Sequence, residues 1–253
     1  PETPVVARDP SEYEVYFHVG LGRAASTYMQ NRIFPHLEGI RYIHRDRYRN
    51  FPKIIERTHD SKYLVSREAA LRLEARLKEF SSYRHDAKVI LVLRRHDHWI
   101  ASHYRRYVKN GGSYPFDQFL DLKNGNGGLW KRTDLEFMSM IRMIEHYFVS
   151  QPLVLFQEEL STNQHRFLSR LIAFTGTTLD PTTINSERLH RSYSDKQLRI
   201  SRTIGALLFP PIPTVHPNTT LHRIYRRRNL VLCHLILAVA KLVPESMIGD
   251  EPL

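Results

Sequence analysis

Along the chain, short apolar runs alternate with longer stretches whose apolar positions recur at helical spacing. The runs Val15–Val19, Tyr63–Val65, Val89–Leu93 and Leu153–Phe156 read as strands, and Ile40–Ile43 is a weaker fifth. Between them the pattern predicts helices near Ser26–Phe34, Glu68–Phe80, Asp97–Val108, Asp134–Phe148 and Gln164–Phe174. In the stretch from Glu68, the residues Ala70, Leu71, Leu73, Ala75 and Leu77 mark a buried stripe. Arg72, Glu74, Arg76, Lys78 and Glu79 mark its wet face. This alternation predicts an α/β fold of three layers, with a mainly parallel central sheet and helices on both faces.

The connections carry their own signals. "NGGSYP" (110–115) and "KNGNGG" (123–128) read as loops around "FDQFL", a single helical turn. "FPPIPTVHPN" (209–218) is a proline-rich connection, and Arg226–Arg228 then lead into "NLVLCHLILAVAKLV". That run is about 14 residues, interrupted by His234 and Lys241, too short to span a bilayer. It reads as a buried terminal helix, a helix lying on a membrane surface behind a basic cluster, or an oligomer contact. There is no internal repeat.

A length of 253 residues with 42% hydrophobic and 25% charged residues suits one globular domain or two small ones, and the reading taken is a single domain over 1–253. Residues 1–13 read as a flexible leader, and 219–253 as a basic and apolar helical segment. The single cysteine, Cys233, excludes an internal disulfide and a cysteine-based zinc site. It fits a cytoplasmic setting, with membrane association through the last segment. The formal charge of +11 favours anionic partners without choosing among them.

Candidate chemistry begins at "FHVGLGRAAST" (17–27), where a strand runs into a glycine-containing turn and then a helix start. That is the layout of a P-loop-like phosphate-binding loop, with backbone N–H groups converging on an anion. The nucleotide-triphosphate template wants Gly at 25 and Lys at 26 and finds Ala25 and Ser26, while the basic residue stands at Arg23. The N–H groups from about Arg23 to Thr27, the hydroxyls of Ser26 and Thr27 and the charge of Arg23 would hold the anion.

A second segment, "KVILVLRRHDHWIASHYRRY" (88–107), is a strand ending at Arg94. Asp97 reads as the helix N-cap, and Ser102 falls within the next two turns. Ligands of open α/β sheets sit beyond the carboxyl ends of the strands, so Arg94 and Arg95 should emerge on the face of the first loop. There Arg94 and Ser102 would grip a second phosphate.

Together these segments resemble the PAPS-dependent sulfotransferases, of the bacterial and carbohydrate type. "HVGLGRAASTYMQ" is similar to the family's 5′-phosphosulfate loop, and "LRRHDHWIASHY" to its 3′-phosphate motif, an arginine with a helical serine eight residues on. "LVLFQEEL" (153–160) and "LHRSYS" (189–194) resemble later segments, and the likeness spans roughly 14–195. It implies transfer of a sulfuryl group from 3′-phosphoadenosine 5′-phosphosulfate (PAPS) to an acceptor hydroxyl, on a carbohydrate or glycolipid. Gly22, Arg23, Ala24, Ala25, Ser26, Thr27, Tyr28, Arg94 and Ser102 would bind the donor. Arg23 replaces the usual lysine and Ala25 a glycine.

The transfer also needs a general base. The family places a His or Glu after the first helix or at the next strand end, which matches Asp46 and His44 in "YIHRDRYRNF" and Glu68 in "YLVSREAA". Asp46 is the first choice and His44 the second; Glu68 reads as a first-turn helix acid. Ser66 would help line the site, and His18, on a strand, belongs in the core or just behind the site. The histidines form no metal-ligand pattern, so no metal is expected, nor is nucleic acid. The competing readings are a nucleotide-dependent kinase with a degenerate P-loop and a non-enzymatic basic protein binding polyanions or membranes.

Overall fold

The computed structural model describes residues 9–69, 72–123, 132–184, 193–210 and 219–244. Strands β1 (Glu14–Gly20), β2 (Arg41–Ile43), β3 (Lys62–Glu68), β4 (Lys88–Leu93) and β5 (Leu153–Phe156) form one sheet in the order β2-β3-β1-β4-β5. Every pairing is parallel. In chain order the helices are α1 (Ser26–Tyr28), α2 (Phe51–Arg57), α3 (Leu73–Tyr83), α4 (His96–Lys109), α5 (Phe116–Phe119), α6 (Phe137–Tyr147), α7 (Glu159–Thr162), α8 (Gln164–Thr175), α9 (Asp195–Leu208) and α10 (Thr219–Ala240). The chain groups into two compact units, one of 1–95 with 133–189, the other of 96–132 with 190–253.

The first unit holds the sheet. Parallel strands are covered on both faces, and this is why β4 reads as an unbroken apolar run and β1 and β3 as largely apolar ones. Successive side chains of β1 show the two layers. Phe17 stacks on Phe80 of α3, ring centroids 3.8 Å apart, and Tyr16 meets Phe174 of α8 edge-on at 5.9 Å. Neighbouring residues of a strand face opposite ways, so α3 and α8 lie on opposite sides of the sheet. The α/β fold with a parallel sheet and helices on both faces is therefore the one the alternation predicts.

The second unit is helical. Gln197 of α9 donates to the Leu237 carbonyl of α10 at 2.8 Å, and Ser201 donates to the Val108 carbonyl of α4 at 3.2 Å. Gly205 lets α9 approach closely: a Cβ there would lie 2.8 Å from the Gly111 carbonyl oxygen. Cys233, Leu237 and Ala240 form the buried face of α10.

Several elements depart from the sequence pattern. The helix expected over Ser26–Phe34 is broken into α1, a π turn over Met29–Ile33 and a 3-10 turn over Phe34–His36, where Pro35 removes a backbone donor. Glu68 is not a first-turn helix acid. The Ala69 N–H donates to the Gly20 carbonyl at 3.1 Å, which carries the strand through Glu68, and α3 starts only at Leu73. Asp97 is not the N-cap of α4; the helix starts at His96, and the Asp97 carboxylate accepts from the His98 N–H. The leader does not reach residue 13, because Pro10–Glu12 is a 3-10 turn and Arg84 holds the carbonyls of Pro10 and Tyr13 at 2.6 and 2.9 Å. Helices α2, α7 and α9 fall outside the expected set. The loop at 124–128, most of "LHRSYS" (189–192) and residues 211–218 of the proline-rich connection lie outside the described residues.

Candidate active site

In the order β2-β3-β1-β4-β5 the chain leaves β1 toward one edge of the sheet and later crosses to the other, so the carboxyl end of β1 is where an open α/β sheet forms its crevice. Gly20 ends β1 there, and the loop Leu21–Ala25 follows. A Cβ on Gly20 would overlap the Ser26 hydroxyl where it now sits, so glycine at this position leaves room for the helix start to fold back over the strand end. The Ser26 hydroxyl donates to the Leu21 carbonyl at 3.4 Å and closes the loop from beneath.

Two loop residues lie in the left-handed region, Arg23 at φ 74° and Ala25 at φ 59°, and among the described residues these are the non-glycine cases. Left-handed residues spaced along a turn aim successive N–H groups into one concavity, which is an anion-binding nest. Among the described residues, no backbone acceptor meets the N–H groups of Ala25, Ser26 and Thr27. The space in front of Gly22 is open: a Cβ there would meet nothing within 4 Å. Arg23 is exposed, Thr27 and Tyr28 are half-buried, and Ala24 is fully buried, so Ala24 can offer a ligand only its backbone.

The flanking strands bring charge to this point. Glu68 is the register partner of Gly20, and Ser66 that of His18. The side-chain period of two puts Glu68 on the face of the sheet where the loop's helix packs. On the other flank Arg94 follows the end of β4, and its guanidinium donates to the Arg23 carbonyl at 3.1 Å. The two predicted phosphate motifs therefore touch through Arg94. The Arg95 N–H donates to the Glu158 carboxylate at 3.3 Å, which ties the turn after β5 to the end of β4. Ser102 belongs to the second unit, where it is buried on α4.

Asp46 and His44 lie beyond the end of β2. His44 caps the 3-10 turn Arg45–Asn50, and its Nδ1 stands 3.1 Å from the Asp46 carboxylate. Asp46 is 77% exposed and also faces Arg45 at 3.7 Å. Arg45 reaches toward Glu68 at 3.9 Å. Arg67, on the opposite face from Glu68, lies over the Tyr48 ring at 5.4 Å. Burial pushes the Tyr48 hydroxyl up to about 12.

Beneath the loop is a buried polar chain that the sequence reading did not identify as a unit. Gln30, on the π turn, donates to the Ser66 hydroxyl at 2.8 Å, and Ser66 lies 2.8 Å from His18 Nδ1. Ser66 therefore links Gln30 to the imidazole, accepting from the amide and sharing one hydrogen bond with His18 Nδ1. Complete burial lowers the His18 pKa to about 3, so the ring is neutral. No signal in the sequence singles out Gln30, which stands with Asn31 and Arg32 in a polar run between Met29 and Ile33. Ser66 lines this buried chain, and His18 is a core residue as expected. Among the described residues, no group of three or more His, Cys, Asp or Glu could hold a metal ion.

No family model and no curated protein matches the chain. Among solved structures, the mouse sulfotransferase SULT7A1 complexed with PAP aligns at TM-score 0.43 and 14% identity, over 71% of this chain and 64% of its own. A sulfotransferase from Alicyclobacillus acidocaldarius aligns at TM-score 0.54 and 13% identity, over 90% of this chain and 97% of that one. That second likeness shows the fold: this chain is folded as the Alicyclobacillus sulfotransferase is, an all-parallel five-stranded α/β core with helices around it.

Proposed function

We propose that the chain is a sulfotransferase that moves a sulfuryl group from PAPS to an acceptor hydroxyl on a carbohydrate or glycolipid. The observation that carries this reading is the left-handed loop at the end of β1, flanked by Glu68 from β3 and Arg94 from β4. The sulfotransferase fold supports it. The open space at Gly22 and the N–H groups of Ala25, Ser26 and Thr27 fit a 5′-phosphosulfate. Arg94 and Ser102 are assigned to the 3′-phosphate, and Tyr28 and the Ala24 backbone complete the donor contacts.

In this reading Arg23, Ser26 and Thr27 stabilise the charge that develops on the leaving phosphate, a role typically worth about 3 kcal/mol per well-placed donor. Arg23 does so as a fixed cation, since a guanidinium does not give up its proton. Sequence favoured Asp46 as the base, with His44 second. The geometry favours Glu68, which is the partner of Gly20, whereas Asp46 points to solvent among His44 and Arg45. Glu68 takes the hydroxyl proton as the acceptor oxygen bonds to sulfur, and the sulfur bond to the bridging oxygen breaks to release adenosine 3′,5′-bisphosphate. Arg45 beside Glu68 suits an acceptor that carries anionic groups.

Calorimetric titration with adenosine 3′,5′-bisphosphate, 5′-AMP and magnesium ATP tests the donor site. Strong preference for the bisphosphate, followed by sulfuryl transfer from PAPS to a panel of sugars and glycolipids, is the expected result. Equal affinity for all three would remove the reading, and preference for ATP would replace it with the kinase.

A further inference from the structure

We infer that α10 lays its outward face on an anionic membrane surface; the inference concerns the second unit and does not rest on the activity proposed for the first. Cys233, Leu237 and Ala240 turn one side of α10 into its own unit. At 100° per residue the side diametrically opposite carries Ile224, Val231, Leu235 and Val239, with Leu242 just past the helix end. These five large apolar side chains are 56–82% exposed. In the same unit, Leu207 and Leu208 at the end of α9 are also exposed, at 83% and 56%. Isolated exposed leucines are ordinary, but a stripe over five turns opposite a packed face marks a surface that meets something apolar.

Charge on the same helix identifies the partner. Arg223, Arg226, Arg227 and Arg228 fall within it, and from 209 to 244 there is no acidic residue. Arg228 sits within the apolar stripe itself, one turn from Ile224 and from Val231. Its guanidinium lies over the Tyr225 ring at 5.2 Å. A dry contact with a second copy would bury that guanidinium without a counter-charge. A nucleic acid would leave the leucines in water. A bilayer interface satisfies both: aliphatic side chains enter the acyl boundary while the arginines extend to lipid phosphates. Among the described residues no helix is long and apolar enough to cross a membrane, so α10 would lie on the surface.

The test uses the full chain and sedimentation with vesicles of phosphatidylcholine alone or with about one-third phosphatidylglycerol. Binding to the anionic vesicles should exceed binding to the neutral ones at least tenfold. Leu235→Glu should abolish it. Arg226→Gln combined with Arg227→Gln and Arg228→Gln should weaken it about a hundredfold, since about 1 kcal/mol per arginine is a factor of about five each. All these positions are exposed, so thermal melts matching the parent chain should accompany both variants. Binding that Leu235→Glu leaves unchanged would mean charge attraction alone and would overturn the inference. So would no binding to either vesicle, or a solution dimer that Leu235→Glu dissociates, which would assign the face to a second copy.

Discussion

Replacing Gly20 with alanine tests whether the loop is built as described. The added Cβ would overlap the Ser26 hydroxyl and stand 3.1 Å from Ser26 Cβ and 3.3 Å from His18 Cε1. Overpacking of this kind costs about 1–3 kcal/mol. The Ser26 hydroxyl must turn out of its rotamer and give up its bond to the Leu21 carbonyl, while its Cβ is fixed by α1 and the imidazole is held by Ser66. Loss of glycine's freedom in the unfolded chain returns about 0.4–1 kcal/mol. The net expectation for Gly20→Ala is a destabilisation of about 1.5 kcal/mol, or a melting point lower by about 3–6 °C. Ser26→Ala removes the worst overlap. The double variant should therefore be about 1 kcal/mol more stable than the sum of the single effects, well outside the roughly 0.5 kcal/mol within which independent sites add. Urea unfolding followed by circular dichroism on the four proteins gives all the terms. Gly20→Ala indistinguishable from the parent, or effects that simply add, would refute the packing argument.

Four further outcomes are expected. Ala25→Gly relieves a left-handed residue that costs about 1–2 kcal/mol against a smaller entropic penalty, so it should raise stability by about 0.5–1 kcal/mol in the same urea experiment. Glu68→Gln should lower kcat for sulfuryl transfer by about 10²–10⁴-fold with bisphosphate affinity kept, whereas Asp46→Asn should leave both nearly unchanged. Arg94→Ala removes a fixed charge and the donor to the Arg23 carbonyl, and calorimetry should show bisphosphate binding about 10–100-fold weaker with 5′-AMP less affected. His18 is held neutral, its pKa lowered from 6.5 to about 3 by burial, so its contribution to stability is full above pH 6.5. Below that the unfolded chain binds a proton that the folded chain refuses, and stability falls by up to about 1.4 kcal/mol per pH unit toward pH 3. NMR of the folded protein should show a His18 imidazole shift that is flat from pH 8 to 5.

The strands were legible because a parallel sheet buries both faces of each strand, and the run Val89–Leu93 has no polar residue to confuse the pattern. Even the three-residue β2 was visible as Ile40–Ile43. Glu68 was misread because the apolar stripe of α3 extrapolates backward without interruption, while the strand's claim on it comes from a hydrogen bond to Gly20, a partner 49 residues away along the chain. Helix α9 was missed although Ser194 and Gln197 form a reciprocal capping box, the S-x-x-Q signature of a helix start. Its buried face is Leu198, Ser201 and Gly205, and with a serine and a glycine at two of those positions the apolar period does not show. Within the site, the loop and Arg94 were legible as motifs. The contact between them was not, because it depends on strand order rather than on spacing.

That contact bears on how the loop keeps its form with the wrong residues in it. Glycine would adopt the left-handed conformations of Arg23 and Ala25 freely; these two residues cost about 1–2 kcal/mol each and persist only where the surroundings over-determine them. Here the surroundings do so from three sides. The Ala24 N–H donates to the Leu21 carbonyl at 3.2 Å, and Arg94 holds the Arg23 carbonyl from β4. From below, Gln30 anchors the π turn through Ser66 to His18, so β1, β3 and the helix after the loop share one buried chain of hydrogen bonds. The π turn buries Gln30 against Ser66 while Met29 and Ile33 stay in the core. The strain in the loop and the irregular helix behind it are then two parts of one arrangement. Residues unsuited to a nest are held in one by a sheet and helix that have been shaped around them.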